Sequence, residues 1–407
     1  MIIYRPDEIR SVSGARKWTL VYGRRKTGKT FIVENYVKYD LYFFVNRDTT
    51  ILSKTDNRLL SYEVFVELLT AKLAAGGTVV VDEFHRLGGR FFDLLHSMKK
   101  NGKLIVLTST LFLVSRLISA NSPLLGLFHE VRIPIISLND CLASLKHLDN
   151  KKELMELAVV LREPLVAEQF SGEGTARRLL AEVLIGSVKT VPALIGEIFT
   201  EEERSISAIY EGIMRSVASG KVVSGEISSS LFSKGLIGKD DPSVIQQHMD
   251  NLIRLGILSR VPVYGKKKFV YKMQSPLMRL FYYADERYGI SERKLGKGEA
   301  GRIVDEIMPR IVEDNVRELL AERLGLGEAV AESGDFEIDG LLLRFKEPAA
   351  GVEVKWGKRV GEDDIRKAEA NLGRLKLERR ILFVPDKKML KTDALEVMDP
   401  SDLRAKP

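Results

Sequence analysis

The chain has 407 residues, of which 45% are hydrophobic and 29% charged, so it should fold throughout and, at this length, as about two to four domains. Its net charge of +7 and pI near 9.2 permit a polyanionic partner without requiring one. The single cysteine, Cys141, excludes an internal disulfide and a cysteine-based zinc cluster, and the charged start without any apolar run of about 18 residues predicts a cytoplasmic protein with no membrane span.

Short β-rich runs alternate with helical stretches over residues 1–148. The runs cover 18–22, 41–45, 79–81, 104–108 and 131–136. This alternation is typical of a parallel sheet wrapped by helices. We therefore predict an α/β core in this segment.

Helical periodicity follows in residues 149–204, where Leu154, Leu157 and Leu161 recur at the spacing of one helix face. This segment is predicted to be a helical lid on the core.

Residues 205–290 show a different order of elements. Helices are predicted at 206–218, 227–231 and 242–255, followed by strands at 257–264 and 269–273. Gly265-Lys266-Lys267-Lys268 joins the two strands. Three helices and a hairpin with a basic tip indicate a winged helix.

The polar, glycine-rich stretch 291–301 marks the start of a last domain, 291–407. Its pattern predicts a helix over 303–324, strands over 336–338, 341–345 and 351–355, a helix over 363–375 and a strand over 380–384. The whole chain is thus predicted to be a multidomain α/β protein.

A phosphate-binding motif follows the first predicted strand. It is Gly23-Arg24-Arg25-Lys26-Thr27-Gly28-Lys29-Thr30. Such a loop surrounds phosphates with backbone N–H groups and a helix N-terminus. Lys29 is expected to reach the β- and γ-phosphates and Thr30 to hold Mg²⁺, so the motif predicts ATP and Mg²⁺ as ligands.

Two carboxylates end a later strand, in Val79-Val80-Val81-Asp82-Glu83. Ligands of open α/β sheets bind at such strand ends. Asp82 is expected to support Mg²⁺, and Glu83 to be the base that orients the attacking water. Thr108, at the end of the next strand, is placed either to sense the γ-phosphate or simply to cap its strand.

A third group of polar residues lies in the last domain. Asp339 comes just after a predicted strand, and Glu353 and Lys355, two apart on another, point to the same face. Two acids that bind Mg²⁺ and a nearby cation suit phosphodiester hydrolysis. A surface salt bridge between Glu353 and Lys355 is the alternative.

The residues of this group resemble the PD-(D/E)xK nuclease core. That resemblance implies an additional metal-facing acid on the preceding helix, Glu313, and leaves Glu337 and Asp335 as further candidates. It also leaves open a nuclease-like fold that binds DNA without cutting it.

Over nearly its whole length the chain resembles the archaeal P-loop ATPases of the STAND branch of the AAA+ superfamily. The resemblance rests on the phosphate loop with its preceding Tyr22, on Asp82-Glu83-Phe84-His85-Arg86-Leu87 and on Tyr271-Lys272-Met273-Gln274-Ser275-Pro276-Leu277. It implies an ATPase, a winged helix and a restriction-endonuclease-like tail, with possible assembly into homo-oligomers.

Two departures from this family bear on function. Gly126-Leu127 stands where a Gly-Arg pair is usual, so the transition-state arginine is missing there and hydrolysis is expected to be slow unless Arg116 or a neighbouring subunit supplies one. Arg162-Glu163-Pro164 replaces the usual Gly-x-Pro turn before the lid.

The sequence is therefore consistent with two alternative functions. One is an ATP-regulated, Mg²⁺-dependent DNA endonuclease, in which the helix bearing Gln246, Gln247, His248 and Arg254 enters the major groove. The other is a nucleotide switch that binds DNA or a protein through the winged helix and does not cleave.

Overall fold

The computed structural model describes residues 1–15, 18–111, 114, 124–201, 206–333, 336–357, 360–388, 390 and 392–404. These residues form two compact units. We call residues 5–135 and 194–205 the N-terminal unit, and residues 1–4, 136–193 and 206–407 the C-terminal unit.

The N-terminal unit is a parallel sheet with helices on its faces. Its strands are β1 (Thr19–Tyr22), β2 (Leu41–Val45), β3 (Ile51–Ser53), β4 (Arg58–Leu60), β5 (Thr78–Asp82), β6 (Lys103–Thr108) and β7 (His129–Arg132). Its helices are α1 (Pro6–Ser13), α2 (Lys29–Tyr36), α3 (Tyr62–Ala74) and α4 (Gly88–Ser97), with a 3₁₀ turn at Phe84–Leu87.

Among the described residues the strand order is β4-β3-β2-β5-β6-β1-β7. The five strands from β2 to β7 in this order pair in parallel, and β3 and β4 add an antiparallel hairpin at one edge. The central strands are apolar because both faces are covered: Val79, Val80 and Val81 are fully buried. The predicted α/β class and parallel sheet are confirmed, whereas the hairpin was not predicted.

The first part of the C-terminal unit is helical. Its helices are α5 (Leu138–Ser144), α6 (Lys151–Val160), α7 (Pro164–Gln169), α8 (Ala176–Gly186) and the beginning of α9 (Thr190–Glu201). Residues 136–193, which include most of the predicted lid, are thus grouped with the C-terminal part of the chain.

Three helices and a hairpin come next. They are α10 (Ala208–Ala218), α11 (Ser224–Ser233), α12 (Pro242–Arg254), β8 (Leu258–Pro262) and β9 (Phe269–Met273). Asp241 caps α12 by accepting from the Ser243 N–H, and an isolated antiparallel bridge joins Val223 to Val270 of the hairpin. Helix α13 (Pro276–Tyr288) follows.

A five-stranded sheet ends the chain. Helix α14 (Lys297–Leu324) precedes β10 (Gly327–Ser333), β11 (Phe336–Arg344), β12 (Glu347–Val354), α15 (Glu362–Gly373), β13 (Arg379–Phe383) and β14 (Glu396–Met398). The strands lie in that order, the first three antiparallel and the last pairs parallel. Strands β10 and β14 were not predicted, and α14 begins six residues before the predicted helix.

No single described helix is long and apolar enough to cross a membrane; one pair, α8 with 190–200, passes the same test of length and composition only together and is bent by 69°.

Candidate nucleotide and carboxylate sites

The phosphate loop lies between β1 and α2. Gly23 must be glycine because a Cβ there would stand 2.1 Å from the Ile133 carbonyl oxygen. Lys29 begins α2, and its Nζ donates to the carbonyl oxygens of Gly23 (2.9 Å) and Arg24 (3.1 Å). The ammonium is therefore held within the curve of the loop at the N-terminus of a helix, where phosphates bind.

The rest of the loop is held from two sides. Thr27 donates its hydroxyl to the Arg24 carbonyl (2.8 Å), and Arg25 pairs with Glu197 of α9 (2.7 Å). Both partners of that pair belong to the N-terminal unit. Arg24 is buried and Lys26 is left-handed, with φ of 63°.

The structure brings Thr30 and Asp82 together. The Thr30 hydroxyl donates to Asp82 Oδ2 at 2.8 Å. The same oxygen accepts from the hydroxyl of Tyr42, also at 2.8 Å. Burial, followed by the charge of Asp82, raises the pKa of Tyr42 well above its ordinary value, so Tyr42 stays a neutral donor. The hydroxyl of Thr30 and the carboxylate of Asp82 are oxygen groups of the kind that Mg²⁺ prefers in phosphate-binding sites.

Glu83 is fixed at the end of β5 in a left-handed conformation, with φ of 56°. Ser109 donates to its carboxylate, 3.2 Å from each oxygen, and His85 Nδ1 lies 3.5 Å from Oε2. Thr108 contacts the same His85 nitrogen at 3.0 Å. The predicted base and the predicted sensor therefore share one hydrogen-bonded group, and their catalytic roles stay predictions.

One residue that sequence reasoning missed supports the loop from outside. Arg5, only 4% exposed, donates to the carbonyl oxygens of Thr27 (2.7 Å) and Pro134 (2.9 Å) and to Glu8 (2.9 Å). An arginine outside the motif gives no signal in a single sequence. Tyr42 was missed for a different reason, because an aromatic residue in a strand is usually a core residue.

Leu127, at the position of the missing arginine, packs in the core of the N-terminal unit with Trp18 and Phe128 in the same apolar cluster. It therefore contributes no charge to the nucleotide site. The substitute considered above, Arg116, lies outside the described residues.

The predicted groove-reading helix is α12. Gln246, Gln247 and Arg254 are exposed on it, as a groove-facing surface requires. His248 is not on that surface: its ring packs against Tyr210 with centroids 4.8 Å apart, and burial lowers its pKa. The expectation that His248 faces a groove is therefore not confirmed: successive residues of a helix point about 100° apart, and the His248 ring is turned toward Tyr210 of α10. Lys266, Lys267 and Lys268 are exposed at the hairpin tip.

The polar group of the last domain converges on β11 and β12, two adjacent inner strands of the five-stranded sheet. Gly340 of β11 pairs with Val352 of β12, so Asp339 and Glu353 are the next neighbours across the two strands. Lys355 Nζ donates to Glu353 Oε2 at 2.7 Å and lies 3.8 Å from Asp339 Oδ2. The backbone N–H of Val354 also donates to Asp339 Oδ2 (2.9 Å).

Three ionisable side chains at this site, Glu353, Lys355 and Glu313, have raised pKa values. Burial, and then the charge of Asp339, raises the pKa of Glu353. Burial alone would lower the pKa of Lys355, but Asp339 and Glu353 raise it overall. Lys355 therefore stays protonated and positively charged. Glu313, on α14, has its pKa raised to about 8 by burial and by Asp339. Perturbed groups of this kind are enriched at functional sites.

Metal ligation by these residues stays a prediction. Two adjacent carboxylates suit Mg²⁺, which is often bound through one or two carboxylates and water. However, within the described ranges no three His, Cys, Asp or Glu side chains form a group arranged to hold a metal ion. Glu313 is thus near the pair without completing a three-carboxylate cluster. Glu337 is exposed on β11, and Asp335 lies outside the described residues.

The N-terminal part of the chain is similar to a known protein family. Residues 15–142 match a family model described as an AAA domain. This range holds the phosphate loop, Asp82, Glu83 and Thr108, so residues 15–142 contain a P-loop domain of the AAA type. No curated protein matches the chain.

Several solved structures are similar at low identity. The Aeropyrum pernix ORC2 protein in ADPNP and ADP complexes is 13% identical, with 74% of this chain and 90% of that chain covered and a TM-score of 0.36. The Aeropyrum pernix ORC1 protein in complex with DNA is 14% identical, with coverage of 72% and 95% and a TM-score of 0.32. A Pyrococcus horikoshii STAND protein with a tetratricopeptide repeat sensor is 13% identical, with coverage of 79% and 51% and a TM-score of 0.31.

Proposed function

We propose that the protein is an ATP-regulated, Mg²⁺-dependent DNA endonuclease. It binds and hydrolyses ATP at residues 23–30 and cleaves DNA with Asp339, Glu353 and Lys355. The observation that carries the proposal is the approach of these three side chains: the carboxylates of Asp339 and Glu353 both lie within 3.8 Å of Lys355 Nζ.

The nucleotide site has a role for each predicted residue. Lys29 and the N-terminus of α2 neutralise the phosphates. Thr30 would hold Mg²⁺ through its hydroxyl, and Asp82, to which that hydroxyl donates, would support the ion from the outer shell. Glu83, oriented by Ser109, accepts the proton of the attacking water. Because Leu127 offers no charge, turnover by one subunit is expected to be slow; an arginine finger is worth on the order of 10³ to 10⁵ in rate.

The second site is suited to phosphodiester hydrolysis. Asp339 and Glu353 would hold Mg²⁺, which neutralises the non-bridging oxygens and lowers the pKa of bound water. Lys355 lies beside both carboxylates and stabilises the negative charge that develops on phosphorus oxygens. Residues 205–290, proposed as a winged helix, bring DNA to this site through α12 and Lys266–Lys268.

The test is cleavage of linear, nicked and branched DNA with Mg²⁺ and ATP. Wild type should cut at least one substrate, and Lys355→Ala should lower the rate by 100-fold or more, since it removes a charge from the transition state. Lys346→Ala, an exposed lysine at the turn between β11 and β12, is the matched control and should cut normally. Equal inactivity of wild type and Lys355→Ala would refute cleavage.

A nucleotide switch without cleavage is the second candidate. It is favoured by the salt bridge of Lys355 to Glu353, which occupies one carboxylate oxygen, and by the apolar Leu127. It predicts tight nucleotide retention with little turnover and DNA binding that changes between ATP and ADP. Brisk ATP hydrolysis by the isolated monomer would count against it.

A further inference from the structure

A series of ion pairs crosses the C-terminal unit, and the cations in it are buried. Arg162, just before α7, pairs with Glu318 of α14 at 2.7 Å. Lys272 of β9 lies 3.5 Å from the other Glu318 oxygen and donates to both oxygens of Glu328 at 2.9 and 3.0 Å. Arg317 Nε donates to Glu328 at 2.6 Å. Consecutive contacts of five side chains thereby join the segment before α7 to three elements, α14, β9 and β10.

The three cations of these ion pairs have little access to water. Arg162 is 7% exposed, Lys272 8% and Arg317 4%. Removing one partner of a buried pair leaves an uncompensated charge, so the members must keep their mutual positions. Glu318, whose side chain is 43% exposed, stays ionised beside them: its partial burial opposes ionisation, yet Arg162 and Lys272 lower its pKa to about 2.

Arg317, the last cation in this series of ion pairs, contacts the proposed active site. Arg317 Nη1 donates to the backbone oxygen of Asp339 at 2.6 Å, and Nη2 donates to Asp314 at 2.8 Å. Gly340 permits this approach, because a Cβ there would meet the Arg317 side chain at 2.9 Å. Three partners around one planar guanidinium fix its orientation, and Arg317 therefore fixes the backbone at Asp339.

A separate contact holds the residue after Lys355. Trp356 Nε1 donates to Glu156 of α6 at 3.0 Å, and its ring stacks on Phe383. Glu156 is itself bound by two nitrogens of Arg177, at 2.8 and 2.7 Å. Residues before α10 are thus linked to the proposed site in two ways: to Asp339 through the series of ion pairs, and to the segment just after β12 through the hydrogen bond of Glu156 with Trp356.

We infer that Arg317 is the positioning residue for Asp339, and that Arg162 acts on the same carboxylate through Glu318, Lys272 and Glu328. The inference rests on the proposed function for its effect on cleavage. Its structural part does not: a change at Arg162, in the segment before α7, should loosen β11 at Asp339. The proposed cleavage site is then sensitive to a residue that was expected to belong to the ATPase lid.

The experiment compares Arg162→Lys and Arg317→Lys with wild type as full-length proteins. Each variant keeps the positive charge but loses the planar fork. Arg178→Lys is the matched control, because Arg178 pairs only on an exposed helix face, with Glu182 of the same α8. Hydrogen exchange of peptides covering 337–343 reports on Asp339 without Mg²⁺ or DNA, and steady-state cleavage gives kcat and KM.

Both variants should exchange at least 5-fold faster over 337–343 while peptides of β5 and β6 stay unchanged. They should lower kcat 10-fold or more with KM for DNA within 2-fold, and Arg178→Lys should resemble wild type. Unchanged exchange at 337–343 in Arg162→Lys would overturn the inference. Faster exchange combined with no cleavage by wild type would refute the endonuclease and leave the inference standing. Equal loosening of the whole unit in both variants, with intact kcat, would mark the ion pairs as stabilising only.

Discussion

The ionisation of Glu313 should make the C-terminal unit lose stability as the pH rises. Its folded pKa of about 8 lies above its ordinary value of 4.5. Between these values the folded protein holds a proton that the unfolded chain has released, so the stabilisation is complete below pH 4.5 and is lost by pH 8. At 1.36 kcal/mol per pH unit the ceiling is about 5 kcal/mol. Because the side chain keeps 32% exposure, solvent screening reduces the expected loss to about 2–3 kcal/mol.

Urea unfolding at pH 5.5, 7.0 and 8.5, at constant ionic strength and with a chelator, measures this loss. The two tryptophans lie in different units, so a Trp18→Phe background makes the fluorescence of Trp356 report on the C-terminal unit. Glu313→Gln cannot ionise and should gain stability relative to wild type as the pH rises. Glu306→Gln is the control on the same helix, since Tyr288 and Tyr283 lower the pKa of Glu306 and its charge is constant over this range.

Parallel pH curves for wild type and Glu313→Gln would refute the reasoning. They would mean that the Glu313 carboxyl is hydrated in the folded protein. An addition of Mg²⁺ extends the test: if Mg²⁺ binds beside Asp339, it should stabilise wild type more at pH 8.5 than at pH 5.5, because binding to the folded state is a stability term.

Three further predictions concern the other sites. Lys29→Ala should weaken ATP binding at least 10-fold in equilibrium titration, since it removes the cation held in the phosphate loop; unchanged affinity would exclude residues 23–30 as the site. Tyr42→Phe removes one hydrogen bond to Asp82, a contribution of about 1.5–3 kcal/mol for a charged acceptor, and should raise the Mg²⁺ concentration needed for tight ATP binding without affecting Mg²⁺-free binding; a normal Mg²⁺ requirement would contradict this. Replacing Lys266–Lys268 with alanine should lower the slope of DNA affinity against salt by up to about 3, measured by fluorescence anisotropy, and an unchanged slope would remove the hairpin tip from the DNA interface.

The sequence predicted those parts of the sites whose geometry is local. The phosphate loop is specified by eight consecutive residues, and the contact of Thr30 with Asp82 follows from both lying at the same edge of a parallel sheet. Glu353 and Lys355 share a face because side chains alternate along a strand. Their contact with Asp339 then required only the register of two neighbouring strands.

The sequence failed where distant residues decide the structure. Asp339-Gly340 was expected to separate two strands, as Asp-Gly often does, yet β11 continues through it, and Gly340 leaves room there for the Arg317 side chain. Strand β10 has alanine and glutamate at positions where a strand usually shows β-branched residues. Arg162 and Arg317 are 155 positions apart in the sequence, and no periodicity links them.

The hairpin β8–β9 has one further consequence for the last domain. Val263 bridges to Val330 of β10, and the Tyr264 N–H donates to the Val330 oxygen at 2.8 Å. Strand β10 is an outer strand of its sheet, and such strands invite pairing with other chains when they are uncovered. A fragment beginning near residue 291 would uncover β10 and leave Glu328 without Lys272. We expect this fragment to self-associate. The hairpin and the last domain should therefore be expressed together, and a truncation should keep both or remove both.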